Sequence, residues 1–266
     1  MRRNVATLIC FVLLAQAALA SEMQLSPSAP VAPSPSGLPA PFVFLSDVDP
    51  TILQDMRYAG DNNFTGKPVP GYAAAECVLT KPAAEALARV QANLRPLQMS
   101  LKVYDCYRPQ RAVMSFVAWG TARDPKPATK RFFPNLRKEQ LVPLGYIAEQ
   151  SSHPRGVAID LTLVQLPPVA TAAFDPKANY AACTAKANKR APDNSVDMGT
   201  GYDCFDTLSH TASPRVDRAQ RVWRHLLFVA MTKEKFENFE KEWWHYVLPS
   251  ADQAVFDFEI PKRGVK

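Results

Sequence analysis

Residues 151–163 read SSHPRGVAIDLTL, so that His153 stands seven residues before Asp160 with Gly156 between them. Gly156 permits a tight turn into a strand. Along Ala158-Ile159-Asp160-Leu161-Thr162-Leu163 the two-residue period puts Ile159, Leu161 and Leu163 on one face, and Ala158, Asp160 and Thr162 on the other. A carboxylate held among small residues needs a partner, because an unpaired buried charge is costly enough that the group would otherwise take up a proton. A metal ion is one such partner. Residues 242–246, EWWHY, offer a second imidazole in His245 and a second carboxylate, Glu242, three residues earlier.

Together His153, Asp160 and His245 make two nitrogen donors and one oxygen donor at roughly 2.0 to 2.2 Å, which leaves the fourth position of a tetrahedral zinc for water. That is a catalytic set. Zinc in such a site lowers the pKa of water toward about 7 and polarises a carbonyl, while Glu242 takes the water's proton and later passes it to the leaving amine. Positions i and i+3 of a regular strand face opposite sides, so the joint use of Glu242 and His245 predicts a bulge or bend at Trp243-Trp244. Asp105-Cys106-Tyr107-Arg108-Pro109 ends a strand and opens a helix. From that corner the Arg108 guanidinium can reach the oxygen of a tetrahedral intermediate. The plainer alternative is a local salt bridge to Asp105.

Around these motifs the patterning mixes helices and strands. Thr80 reads as an N-cap with Pro82 in the first turn of a helix carrying Ala83, Leu87, Val90 and Leu94 on one face. A second helix is expected from Pro109 to about Trp119. A third is expected from Ser213-Pro214 through Val216, Ala219, Val222, Leu226 and Phe228 to about Met231. Strands are expected at Leu101–Tyr107, Ala158–Val164 and Trp243–Leu248. Without regular βαβα alternation this predicts one α+β domain, a mainly antiparallel central sheet flanked by helices.

The 266 residues are 47% hydrophobic and 21% charged, enough apolar material for a sizeable core. The net charge of +6 comes without a Lys/Arg-rich stripe, which disfavours a nucleic-acid partner. Arg2 and Arg3, an apolar run over Ala6–Ala15 and Ala18-Leu19-Ala20 form a secretory signal cut after Ala20 (domain 1–20), leaving no stretch suited to stable membrane insertion. A proline-rich linker follows (21–41), then the folded domain (42–266). Lipid anchoring at Cys10 is the weaker alternative. The mature chain keeps Cys77, Cys106, Cys183 and Cys204, an even set that suits disulfides in the periplasm or outside the cell. Cys183 with Cys204 is the favoured pair, and a zinc cluster of thiolates lacks any C-x-x-C spacing.

SSHPRGVAIDLTL, EWWHYV, YDCYRPQRAV and MRYAGDNNFTGKPVPGY together resemble the zinc-dependent D-alanyl-D-alanine dipeptidases, the VanX-like group. That group shares its fold with other peptidoglycan-trimming metallopeptidases and with the zinc-binding domain of Hedgehog proteins. The resemblance implies one zinc per subunit held by His153, Asp160 and His245, catalysis by Glu242, and transition-state stabilisation by Arg108. It also implies that Asp203 meets the free amine of a small D-Ala-D-Ala dipeptide and that Tyr146 and Ser151 line the pocket. Gln165–Val196 is longer than the family's usual connection, so access to the pocket is expected to differ. An exported enzyme suits salvage or processing of wall-derived dipeptides better than depletion of a cytoplasmic precursor. Two alternatives stay open at this point: a zinc D,D-carboxypeptidase or endopeptidase acting on longer wall peptides, and a non-catalytic zinc-containing binding module.

Overall fold

The computed structural model describes residues 37–124 and 128–263; the expected signal peptide and most of the linker lie outside them. Leu38 is fully buried, so apolar packing begins four residues before the expected domain start.

The strand read from SSHPRGVAIDLTL forms the centre of the molecule. Seven of the eight residues of this strand, Ala158–Gln165, are buried. In chain order the strands are β1 (Phe42–Phe44), β2 (Leu53–Gln54), β3 (Val78–Thr80), β4 (Met99–Asp105), β5 (Ala158–Gln165), β6 (Glu237–Asn238) and β7 (His245–Val247). The helices are α1 (Leu45–Val48), α2 (Lys81–Leu94), α3 (Gln110–Thr121) and α4 (Arg218–Lys233). Five strands form one sheet in the order β2-β4-β5-β7-β6, and β1 pairs with β3 apart from it. Within the larger sheet only β2 runs parallel to its neighbour, so the architecture is the expected α+β with a mainly antiparallel sheet.

Helix α2 behaves as its periodicity predicts, burying Ala83, Leu87, Val90 and Leu94. Thr80 does hold the N-cap position, but its side chain makes no capping bond. Helices α2 and α4 pack on each other, and each reaches the central strands. The third helix differs from expectation. It begins at Arg218, where Asp217 and Gln220 form a reciprocal capping box, and Ser213-Pro214 belongs to a preceding turn. Its buried side carries Arg224, Leu227, Ala230 and Met231, whereas Val222 and Phe228 are exposed. The reason is Arg224: its guanidinium donates to the carbonyls of Met198, His210 and Leu208, so a charged residue occupies the inward stripe that hydropathy assigns to apolar ones. The strand expected from Trp243 starts only at His245, for reasons given below.

The four cysteines of the described residues form two disulfides, Cys77–Cys106 and the favoured Cys183–Cys204. The first joins the approach to β3 to the residue after β4. The second closes a loop within the long β5–α4 connection and holds the segment that carries Asp203. Among the described residues no helix is long and apolar enough to cross a membrane.

Candidate active site

Three adjacent strands bring the polar residues side by side. Between Val103 and Asp105 the β4–β5 ladder slips by one residue, so Val103 pairs with Leu161 but Asp105, not Tyr104, pairs with Asp160. This is a bulge, with Tyr104 as the extra residue. Asp160 in turn pairs with His245 on β7. His153 enters from a single helical turn, His153–Arg155, that ends at Gly156 with φ 68°. A Cβ at Gly156 would collide with the Phe42 ring, and its backbone lies in the left-handed region, so glycine is required twice over.

The candidate ligand atoms of His153, Asp160 and His245 lie within 4.8 Å of one another. Asp160 Oδ1 is 2.9 Å from His245 Nδ1 and 3.4 Å from His153 Nε2, and the two ring nitrogens are 3.3 Å apart. His153 Nδ1 sits 2.6 Å from the Cys106 carbonyl, to which it donates, and this leaves Nε2 with its lone pair directed at the other two atoms. A carboxylate oxygen and two imidazole nitrogens converging this closely fit a bound cation. Although burial opposes it, the paired imidazoles of His153 and His245 hold the Asp160 carboxyl well below the usual carboxylate range. The nitrogen and oxygen donor set fits a divalent metal ion of the zinc class.

The i, i+3 difficulty at Glu242 and His245 is resolved by the bend the sequence demanded. His245 N donates to the Glu242 carbonyl at 3.2 Å, closing a four-residue turn over Trp243-Trp244, and the strand begins only after it. The Asn238 side chain donates to the carbonyls of both Glu242 and His245 at 3.0 Å, pinning the turn at each end. Trp243 and Trp244 are fully buried wall and core residues. Burial, followed by the nearby Asp160 carboxylate, pushes the Glu242 carboxyl up to about 8.

Arg108 makes the expected salt bridge to Asp105 and also borders the cavity. Its Nε donates to Asp105 Oδ2 at 2.9 Å, its outer nitrogen approaches Asp160 Oδ2 at 3.4 Å, and the guanidinium lies 5.1 Å from the ring centres of Tyr58 and Phe116. Asp105 is itself fixed by the Tyr72 hydroxyl at 2.7 Å. The salt bridge therefore aims the guanidinium into the cavity and does not compete with a role there.

A cavity of about 220 Å³ collects all eight candidate residues: His153, Asp160, His245, Glu242, Arg108, Asp203, Tyr146 and Ser151. Asp203 is buried, with φ 56°, and accepts a hydrogen bond from the Tyr58 hydroxyl at 2.9 Å. Burial and the Asp160 charge push its carboxyl well above the ordinary range, which the Tyr58 hydrogen bond and the Arg108 charge offset only in part. Ser151 Oγ accepts from the His153 backbone at 3.2 Å, and the Tyr146 ring lies 5.5 Å from Phe205. His210 and His225 stand outside this lining. None of residues 165–196 contributes to it either, so the long connection does not form the pocket wall.

Sequence patterning missed two hydroxyls. Tyr202 donates to Asp160 Oδ2 at 2.9 Å and lies 3.2 Å from the Tyr58 hydroxyl. Burial raises both phenols well above their ordinary pKa, so they act as donors. Tyr58 stands inside the MRYAG motif and Tyr202 directly before Asp203, but no spacing rule joins a tyrosine at 58 to one at 202.

The family described as D-ala-D-ala dipeptidase matches residues 39–175 and 177–262. A D-alanyl-D-alanine dipeptidase of Streptomyces coelicolor is 35% identical over 222 residues, covering 82% of this chain and 98% of the relative. One of Enterococcus faecalis is 32% identical over the same length and shares, and one of Escherichia coli K12 is 31% identical over 209 residues, 79% of this chain and 85% of the relative. By these matches, spanning nearly all described residues, the chain belongs to the D-ala-D-ala dipeptidase family.

Proposed function

We propose that the protein hydrolyses the D-Ala-D-Ala dipeptide, or closely related D-amino-acid dipeptides, with one zinc ion held by His153, Asp160 and His245. The observation that carries this reading is the convergence of that ligand set with the Glu242 carboxyl, the Arg108 guanidinium and the buried Asp203 in a single small cavity. When bound, zinc supplies Lewis acidity to the scissile carbonyl and to the attacking water.

The chain's own residues account for the rest. Glu242, whose buried carboxyl holds its proton tightly in the metal-free site, would be favoured as the carboxylate beside a bound cation, and there takes a proton from the water and returns it to the leaving amine. Arg108, aimed by Asp105, donates to the oxygen on which negative charge develops. Asp203 receives the substrate's ammonium through a charge-assisted hydrogen bond, which restores the negative charge that burial disfavours. Such a clamp requires a free amine and so favours dipeptides over longer chains. Tyr146 and Ser151 border the same space.

The amino-terminal sequence and two disulfides support an exported, periplasmic or secreted protein, and hence salvage or processing of wall-derived dipeptides. The test is incubation of zinc-loaded protein with D-Ala-D-Ala and with its N-acetyl derivative, quantifying free D-alanine. Release from the first alone is expected. No release at full zinc occupancy refutes the activity, and equal release from both refutes the Asp203 clamp.

A further inference from the structure

Asp160 presents one oxygen to the imidazoles and the other to Tyr202, at 2.9 Å, with the Arg108 contact longer at 3.4 Å. On the second oxygen the Tyr202 hydroxyl is thus the shorter contact, and it fixes where that oxygen points. Tyr202 lies outside any helix or strand, so ladder hydrogen bonds do not place its ring. Instead the ring stacks on Tyr104, with centroids 4.5 Å apart and planes 20° from parallel. Tyr104 is the bulge residue of β4, and its hydroxyl donates to Asp193 Oδ2 at 2.8 Å. Asp193 is held by Lys102 and Arg57, each at 2.6 Å, and by the Ser195 amide at 2.8 Å. It belongs to the stretch 165–196 after β5, none of whose residues lines the pocket.

We propose that Asp193 is a positioning residue for the metal centre: through Tyr104 and Tyr202 it sets the orientation of the Asp160 carboxylate. The proposal rests on the reading that His153, Asp160 and His245 hold the metal. The long connection thus contributes to the site from behind, through a hydrogen bond, a ring stack and a second hydrogen bond in series. A contact of this kind acts on the metal ligand and not on substrate. Its loss should lower metal affinity and turnover while leaving KM alone.

Tyr202→Phe and Tyr104→Phe each remove one hydroxyl and keep the stacked rings; Asp193→Asn removes the acceptor's charge. Zinc affinity is read by competition with a chromogenic chelator, alongside kcat and KM at saturating zinc. Tyr202→Phe is expected to weaken zinc about 10-fold, within the 10- to 100-fold range typical of residues supporting a metal ligand. Tyr104→Phe and Asp193→Asn are expected to weaken it about 3- to 10-fold, with KM within about twofold. Because Tyr104 acts through Tyr202, the double Tyr104→Phe/Tyr202→Phe variant should bind zinc no more weakly than Tyr202→Phe alone. Unchanged zinc affinity in Tyr104→Phe, or losses that multiply in the double variant, overturns the proposal; should Asp193→Asn fail to fold, the two tyrosine variants decide it. A wild-type protein that takes up no zinc refutes the metal centre itself, an outcome distinct from failure of the relay.

Discussion

Glu242→Gln should move stability and turnover in opposite directions. In the metal-free protein the Glu242 carboxyl is raised from 4.5 to about 8 by burial and by Asp160. A group raised on folding contributes its full stability below its ordinary pKa and loses it as pH rises through the folded value. The wild-type metal-free protein should therefore weaken between about pH 4.5 and 8. At pH 7 the cost is about 3 kcal/mol, since each pH unit above 4.5 adds about 1.4 kcal/mol. Gln is close to isosteric and cannot ionise. It should raise the melting temperature of the metal-free protein by about 6 to 12 °C at pH 7 and flatten this part of the pH dependence. Turnover should fall about 10² to 10⁴-fold, the loss expected on removing a general base. Calorimetry of chelator-treated protein at pH 5 and 7, with D-alanine release by the zinc-loaded form, measures both. A variant that melts lower than wild type, or that keeps turnover within about tenfold, refutes the reasoning.

Other expectations follow from the same geometry. Arg108→Lys keeps a cation near Asp105 but loses the forked donor, and should cut kcat about 10² to 10³-fold with zinc still bound, as read by metal analysis beside steady-state kinetics. Opening Cys77–Cys106 or Cys183–Cys204 by paired Ala substitution should cost about 3 to 4 kcal/mol each on loop-entropy grounds, measured by urea denaturation. Gly156→Ala forces a side chain against Phe42 at φ 68°, and should both lower the melting temperature and weaken zinc, because the turn that ends there carries His153.

The sequence was most informative where one local rule acts alone. The period of two placed Asp160 on β5, the helical period placed the buried face of α2, and the mismatch of i and i+3 with a strand called for the turn at Trp243-Trp244. It was least informative where distant segments meet. The inward stripe of α4 carries Arg224 because three loop carbonyls need a donor, a fact that hydropathy cannot encode. Tyr202 and Tyr58 meet only because their loops fold together, and Asp193 reaches Asp160 only through two intervening rings. The four family motifs identified the candidate ligands and Glu242 but left unread the groups that hold them still.

The slip between Val103 and Asp105 bears on how relatives of this chain are judged. Were the ladder regular, Tyr104 would stand opposite Asp160 and the Asp105 carboxylate would turn to the far side of the sheet, away from Arg108. A cousin that kept the run from Asp105 to Val113 yet lacked the single amino acid before it would lose only the first letter of one signature and would look nearly complete to a motif search. Its guanidinium would nonetheless have lost its anchor. The count of residues across this short interval is thus an inexpensive screen for separating working catalysts from silent copies.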